Sequence, residues 1–132
     1  MHLANVVGEN VLMTIEFQQV KRYVVYFETN IYGIWSNTVK KAQAEALVEK
    51  IKKMTGSYPI VYGSEFFLNG LDSQVLAKCP LWLICWISPP ELPKNWSSWL
   101  MWQYTDGDYG LHPHTVNGIG RCRRSYLNVD SL

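Results

Sequence analysis

Pro80-Leu81-Trp82-Leu83-Ile84-Cys85-Trp86 is apolar at nearly every position, with no polar alternation. A strand with one wet face alternates apolar and polar residues. A strand without alternation needs cover on both sides, as in a parallel sheet flanked by helices. The rest of the chain supplies the matching pieces. Val11-Leu12-Met13-Thr14-Ile15-Glu16-Phe17-Gln18 reads as a strand behind the polar Gly8-Glu9-Asn10. Arg22 to Glu28 has strand-like composition, and Ile31 to Trp35 continues the aromatic bias. A helix follows, capped by Asn37 or Thr38. Its predicted apolar stripe is Val39, Ala42, Ala46, Leu47, Ile51 and Met54, and Gly56 is its stop. Tyr58 to Gly63 reads as a strand, Glu65 to Leu71 as a short aromatic helix or turn, and Leu100 to Tyr104 as another strand. Arg121 to Leu127 supplies a last strand after a stiff Pro-rich loop at 89–94 and a polar loop beyond residue 105. This rhythm predicts an α/β fold with a parallel sheet and few helices. Four or five strands are too few to close an eight-stranded barrel.

Bulk composition narrows the function classes. The 132 residues suit one domain, and 48% hydrophobic with 17% charged residues provides for a packed core. A formal net charge of +1 gives neither a nucleic-acid footprint nor a polybasic membrane stripe, so neither partner is expected. The apolar run 81–87 is too short to span a bilayer, and no signal-peptide pattern follows Met1. Six Trp and eight Tyr are an excess with two readings, core packing or a platform for sugar rings. Cys79, Cys85 and Cys122 leave at least one thiol unpaired, and their spacing does not make a zinc site. A disulfide between Cys79 and Cys122 and two free thiols both remain open. His112 and His114 form a two-His pattern with no third ligand nearby, so no metal is expected.

One ordered set of motifs carries a resemblance. Trp99-Leu100-Met101-Trp102-Gln103-Tyr104-Thr105-Asp106-Gly107 leads into His114-Thr115-Val116-Asn117-Gly118-Ile119-Gly120-Arg121-Cys122. Upstream stand Thr55-Gly56-Ser57-Tyr58-Pro59-Ile60-Val61-Tyr62-Gly63 and Leu81-Trp82-Leu83-Ile84. Together these resemble family-25 glycoside hydrolases, the lysozymes (muramidases) of bacterial peptidoglycan. The resemblance implies the C-terminal part of a TIM-like (β/α) barrel with few helices and its first three strands missing. It makes 1–132 a single truncated domain, with 20–36 as a candidate insertion. The implied reaction cuts the β-1,4 bond between N-acetylmuramic acid and N-acetylglucosamine, without a cofactor. The family is usually secreted or released.

The same resemblance points to altered chemistry. Glycoside hydrolysis needs one carboxylic acid to protonate the leaving oxygen and another carboxylate on the opposite side. The family's fourth strand ends in Asp-x-Glu, and the match to Glu9–Met13 sets that pair at Glu16 and Gln18. Gln18 carries an amide, which has no acidic proton to give. A later catalytic Asp corresponds to Arg123, which reverses the charge. Of the acidic positions implied, only Glu16 keeps a carboxylate. The expectation is an inactive copy. The substrate-binding residues implied are Tyr62, Trp82, Trp102 and Tyr104, facing peptidoglycan or an amino-sugar glycan. The alternative is a non-catalytic glycan-binding remnant, or a structural fragment that associates with itself through exposed sheet edges.

Overall fold

The computed structural model describes residues 11–17, 20–26 and 41–128. Among the described residues the main sheet has six strands in the order β1-β2-β3-β4-β5-β8. These are β1 (Val11–Phe17), β2 (Val20–Tyr26), β3 (Ile60–Ser64), β4 (Leu81–Ile84), β5 (Met101–Thr105) and β8 (Arg124–Leu127). A separate two-stranded ladder joins β6 (Thr115–Val116) to β7 (Gly120–Arg121) around the Gly118-Ile119-Gly120 turn. Among the described residues the helices are α1 (Lys41–Thr55), α2 (Glu65–Leu71) and a 3-10 turn at Leu76–Lys78.

Strands β2 to β5 run parallel, while β1 and β8 run antiparallel to their neighbours. The sheet is therefore mixed rather than parallel throughout. The reason lies in the connections. Two residues separate β1 from β2, enough for a hairpin and far too few for the crossover that a parallel pair requires. Residues 20–26, the first part of the stretch expected as an insertion, form β2. That strand pairs with β1 on one side and β3 on the other.

One face of the sheet is covered by helices. Val25, Val61, Leu81 and Leu83 pack there against Ala44, Val48 and Ile51 of α1, Phe67 and Leu68 of α2, and Leu76 and Cys79. The buried stripe of α1 is thus Ala44, Val48 and Ile51, spaced by four and three residues, with Leu47 beside it. Ala42, Ala46 and Met54 of the expected stripe are exposed, and Val39 and the expected caps Asn37 and Thr38 lie outside the described residues. Alanines carry too little apolar area to set the phase of a helix, so the larger Val48 and Ile51 choose the face. Gly56 ends α1 as expected, at φ +84 with its N–H donated to the Lys52 carbonyl at 2.8 Å. Ser73 fixes the corner after α2: its hydroxyl donates to Glu45 at 2.9 Å and accepts from the Leu76 N–H at 3.0 Å.

The opposite face carries Val24, Ile60 and Leu100, all buried, with Tyr62, Trp82 and Met101 packed on them. The apolar run 81–84 divides between the two faces, Leu81 and Leu83 inward under the helices and Trp82 on the other side. Among the described residues no helix is long and apolar enough to cross a membrane.

Cys79 sits in the helix-side core and is only 2% exposed. Cys79, Cys85 and Cys122 are all free thiols, so the Cys79–Cys122 bridge is not formed. Burial, followed by the charge of Glu49, pushes the Cys79 thiol from 9.0 up to about 12. The neutral thiol is the form the fold holds. Its contribution to stability is complete below the unfolded value of 9.0 and is lost as pH rises from there through about 12. Cys79 is expected to resist iodoacetamide in the native protein at mildly alkaline pH and to react fully in urea. Peptide mapping by mass spectrometry reads both states.

Candidate functional site

In parallel α/β sheets, ligands sit at the C-terminal ends of the strands. In this sheet those ends are Tyr26, Ser64, Ile84 and Thr105 of β2 to β5. Alternation along β5 decides what faces them. Trp102 pairs in register with Leu83, which belongs to the helix-side core, so Trp102 and Tyr104 turn to the helix side. Gln103 turns the other way. It is 3% exposed, and its amide donates to the Tyr62 hydroxyl at 2.9 Å. That bond reaches from β5 to β3 over the intervening strand β4. Tyr62 meets Trp82 edge to face with ring centroids 4.9 Å apart, and the Trp82 indole N–H donates to the Ser125 hydroxyl at 3.1 Å. Tyr62, Trp82, Gln103 and Ser125 thus form one cluster of aromatic and neutral polar groups drawn from β3, β4, β5 and β8.

The expected set of four aromatics is divided by this geometry. Tyr62 and Trp82 belong to the cluster. Trp102 and Tyr104 lie on the other side of the sheet, where both pack against Tyr126 with centroids at 5.4 and 4.8 Å. Trp102 also donates its indole N–H to the Cys85 carbonyl at 2.6 Å. The period of two along a strand forbids Trp102, Tyr104 and Gln103 from sharing a face. Gln103 is the residue that sequence reasoning passed over. Its signal was present: a lone amide centred in an otherwise aromatic strand must either meet water or find a partner.

Glu16 is placed away from the cluster. In the β1–β2 hairpin it pairs with Lys21, and Phe17 pairs with Val20 at the start of β2. The C-terminal end of β1 is therefore at the opposite end of the sheet from Tyr26, Ser64, Ile84 and Thr105. An antiparallel strand cannot present its last residues at the ligand end of its parallel neighbours. Gln18 lies outside the described residues. Arg123 is exposed between β7 and β8, close enough to Asp106 to act on its charge.

A stiff turn follows β5. The Asp106 carboxylate accepts the N–H groups of Asp108 at 2.9 Å and Tyr109 at 2.8 Å. The Thr105 hydroxyl, fully buried, donates to the Tyr109 carbonyl. Gly110 closes the turn at φ +99, and a Cβ there would lie 2.2 Å from the Tyr104 carbonyl oxygen. Only glycine fits. Asp108 pairs with Arg121 at 2.8 Å on the surface. The N–H of Tyr109 first and then that of Asp108 hold the Asp106 carboxyl below its usual value against the opposing effect of desolvation, with the charge of Arg123 the least of the contributions. The rings of His112 and His114 stack at 4.1 Å. Among the described residues no group of three or more His, Cys, Asp or Glu is placed to hold a metal ion.

The described residues thus form a mostly parallel sheet, covered by helices on one face and carrying an aromatic and amide cluster on the other. The family follows from the sequence itself. The chain belongs to the glycosyl hydrolases family 25, whose profile matches residues 10–110. No curated protein matches it. Among solved structures it is similar to the bacterial lysozyme from Streptomyces coelicolor, with TM-score 0.62 and 23% identity over 80% of this chain and 50% of that one. It is also similar to the CTP1L endolysin, with TM-score 0.54 and 20% identity over 81% of this chain and 35% of that one. A family 25 glycosyl hydrolase from Bacillus anthracis gives TM-score 0.50 and 21% identity over 70% and 43%. The chain thus spans half or less of the length of each.

Two outcomes check this geometry. Gln103→Ala should destabilise the fold by about 1–3 kcal/mol, the cost of opening a buried polar contact, read by denaturant melts. Asp106 should titrate below 3.8 by carbon NMR, and Arg123→Ala should move it only part of the way back, because the turn's N–H groups remain. The depressed value means that the turn gains from the ionised carboxylate above the unfolded value and loses it as pH falls through the folded one.

Proposed function

We propose that this chain is the C-terminal part of a lysozyme-type (β/α) barrel that holds the amino-sugar backbone of peptidoglycan without cleaving it. The observation that carries this reading is the chemistry of the Tyr62–Gln103–Trp82–Ser125 cluster. Its rings and neutral hydrogen-bonding groups suit a pyranose with hydroxyl and acetamide substituents. None of these four side chains is a carboxylic acid, so none can protonate a glycosidic oxygen. The ancestral reaction is cleavage between N-acetylmuramic acid and N-acetylglucosamine. General acid catalysis alone contributes about 10²–10⁴-fold to such a step.

The parallel neighbour of β3 is β2, with Tyr26 in register with Tyr62. The family's Asp-x-Glu spacing therefore suits the sequence Tyr26-Phe27-Glu28 better than Glu16 and Gln18. In that register a tyrosine stands for the Asp, and Glu28 is the carboxylate that the pair retains, without the partner that cleavage needs. Phe27 and Glu28 lie outside the described residues. Arg123 in place of the later Asp still removes the second carboxylate.

A suspension of bacterial cell walls should not clear with the purified chain at any pH from about 4 to 8, the range in which a tuned carboxyl would act as the acid. Clearing that disappears in Glu28→Gln would overturn the non-catalytic reading and identify the acid. Titration with chitin oligosaccharides, followed by tryptophan fluorescence, should saturate at millimolar ligand. Tyr62→Ala, in a protein that still melts cooperatively, should abolish the change. Flat titrations of the unaltered chain would refute binding.

A further inference from the structure

At the ligand end of the sheet a second aromatic feature stands apart from the Tyr62 cluster. Trp86 follows β4 and Tyr109 lies in the turn after β5. Their rings are nearly parallel, 15° apart, with centroids at 6.0 Å. Both are open to water, Trp86 at 39% and Tyr109 at 67%, and Ile87 beside them is 56% exposed. Large apolar side chains left in water cost free energy that burial would recover.

The presentation is rigid. Tyr109 donates its N–H to Asp106, its carbonyl accepts from Thr105, and the next residue is the glycine that only this turn geometry admits. The strand beneath Trp86 is fixed by the Cys85 N–H bonded to the Gln103 carbonyl at 3.1 Å, and by the Cys85 carbonyl accepting from Trp102. The two rings also brace each other. Little side-chain freedom is left to lose when a ligand arrives.

We propose that Trp86 and Tyr109 form a rim subsite on which one pyranose ring of an N-acetylated glycan stacks, in addition to the Tyr62–Gln103 cluster. This rests on the glycan-binding reading above. The ring spacing decides the mode. A ring held between two others needs contact distances of about 3.5–4.0 Å on each side, so roughly 7–8 Å in total. The observed 6.0 Å is too narrow. The sugar therefore lies on the open face of the pair and not between the rings. The polar edge of such a ligand is served by groups beside the turn: Asp108, paired with Arg121, and the exposed Arg123. Arg121 is neutralised by Asp108, so it is the exposed Arg123 that a carboxylate substituent, such as the lactyl group of a muramic acid, would meet.

The test uses the full chain and two probes, chitotetraose and a soluble muropeptide, with affinities read by NMR shifts and tryptophan fluorescence. Tyr109→Ala should weaken both ligands by three- to tenfold, while Tyr109→Phe, which keeps the ring, should change little. Arg123→Ala should weaken the muropeptide and leave chitotetraose unchanged. Unaltered affinities in Tyr109→Ala and Trp86→Ala, with Tyr62→Ala still abolishing binding, would overturn the rim subsite and leave the Tyr62 cluster standing. Loss in Tyr109→Ala with no loss in Tyr62→Ala would support the rim and overturn binding at the Tyr62 cluster. No binding by the unaltered chain would overturn both. Concentration-dependent sedimentation abolished by Tyr109→Ala would make the pair a contact between copies, and would overturn the proposal as well.

Discussion

A single hydrogen bond, from the Gln103 amide to the Tyr62 hydroxyl, ties the candidate site together. Adjacent strands lie about 4.8 Å apart, so β3 and β5 are separated by nearly twice that. Only two long side chains reaching toward each other can meet across β4. Their meeting shelters an amide in a mostly apolar face, where an unpaired one would be costly. It also fixes Tyr62 against Trp82, and through Trp82 reaches Ser125 on the last strand. Four strands are thereby joined by neutral groups that hold shape without charge.

The two faces of the sheet divide labour by this same parity. Trp102 and Tyr104 bury on the side where Tyr126 receives them, contributing area and packing. Gln103, between them in sequence, is the residue that the other side sees. Substituting an aromatic for Gln103 would crowd the site, and moving the strand by one residue would exchange core for site entirely.

Much of the architecture was legible in the chain. The helix stop at Gly56, the short helix Glu65–Leu71 and the strands around Val61, Leu83 and Trp102 follow from local rules of spacing and capping. The family follows from motifs in fixed order. Strand direction was not legible. Val11–Phe17 and Val20–Tyr26 have similar composition, and only the two-residue connection, read as a hairpin, shows that the first must run backwards. The site was half legible for a related reason. Aromatic residues were read as a set, whereas the backbone sorts them by odd and even position. Tyr62 and Trp82 pair in register across neighbouring strands, and Trp102 falls on the other parity. The phase of α1 is set by the larger Val48 and Ile51, a preference that apolar spacing alone does not carry.

Gly110 has one further consequence, for how such a domain changes over time. The backbone approach at this position excludes every side chain, and Asp106 and Thr105 are committed to holding the turn. Beside them, the side chains of Asp108 and Tyr109 point outward, one to its surface pair with Arg121 and the other to the ring of Trp86. Mutation is thus channelled to two adjacent positions at the tip of a fixed frame. The lineage can exchange what it shows there, as a tool holder accepts different bits, without renegotiating the core beneath.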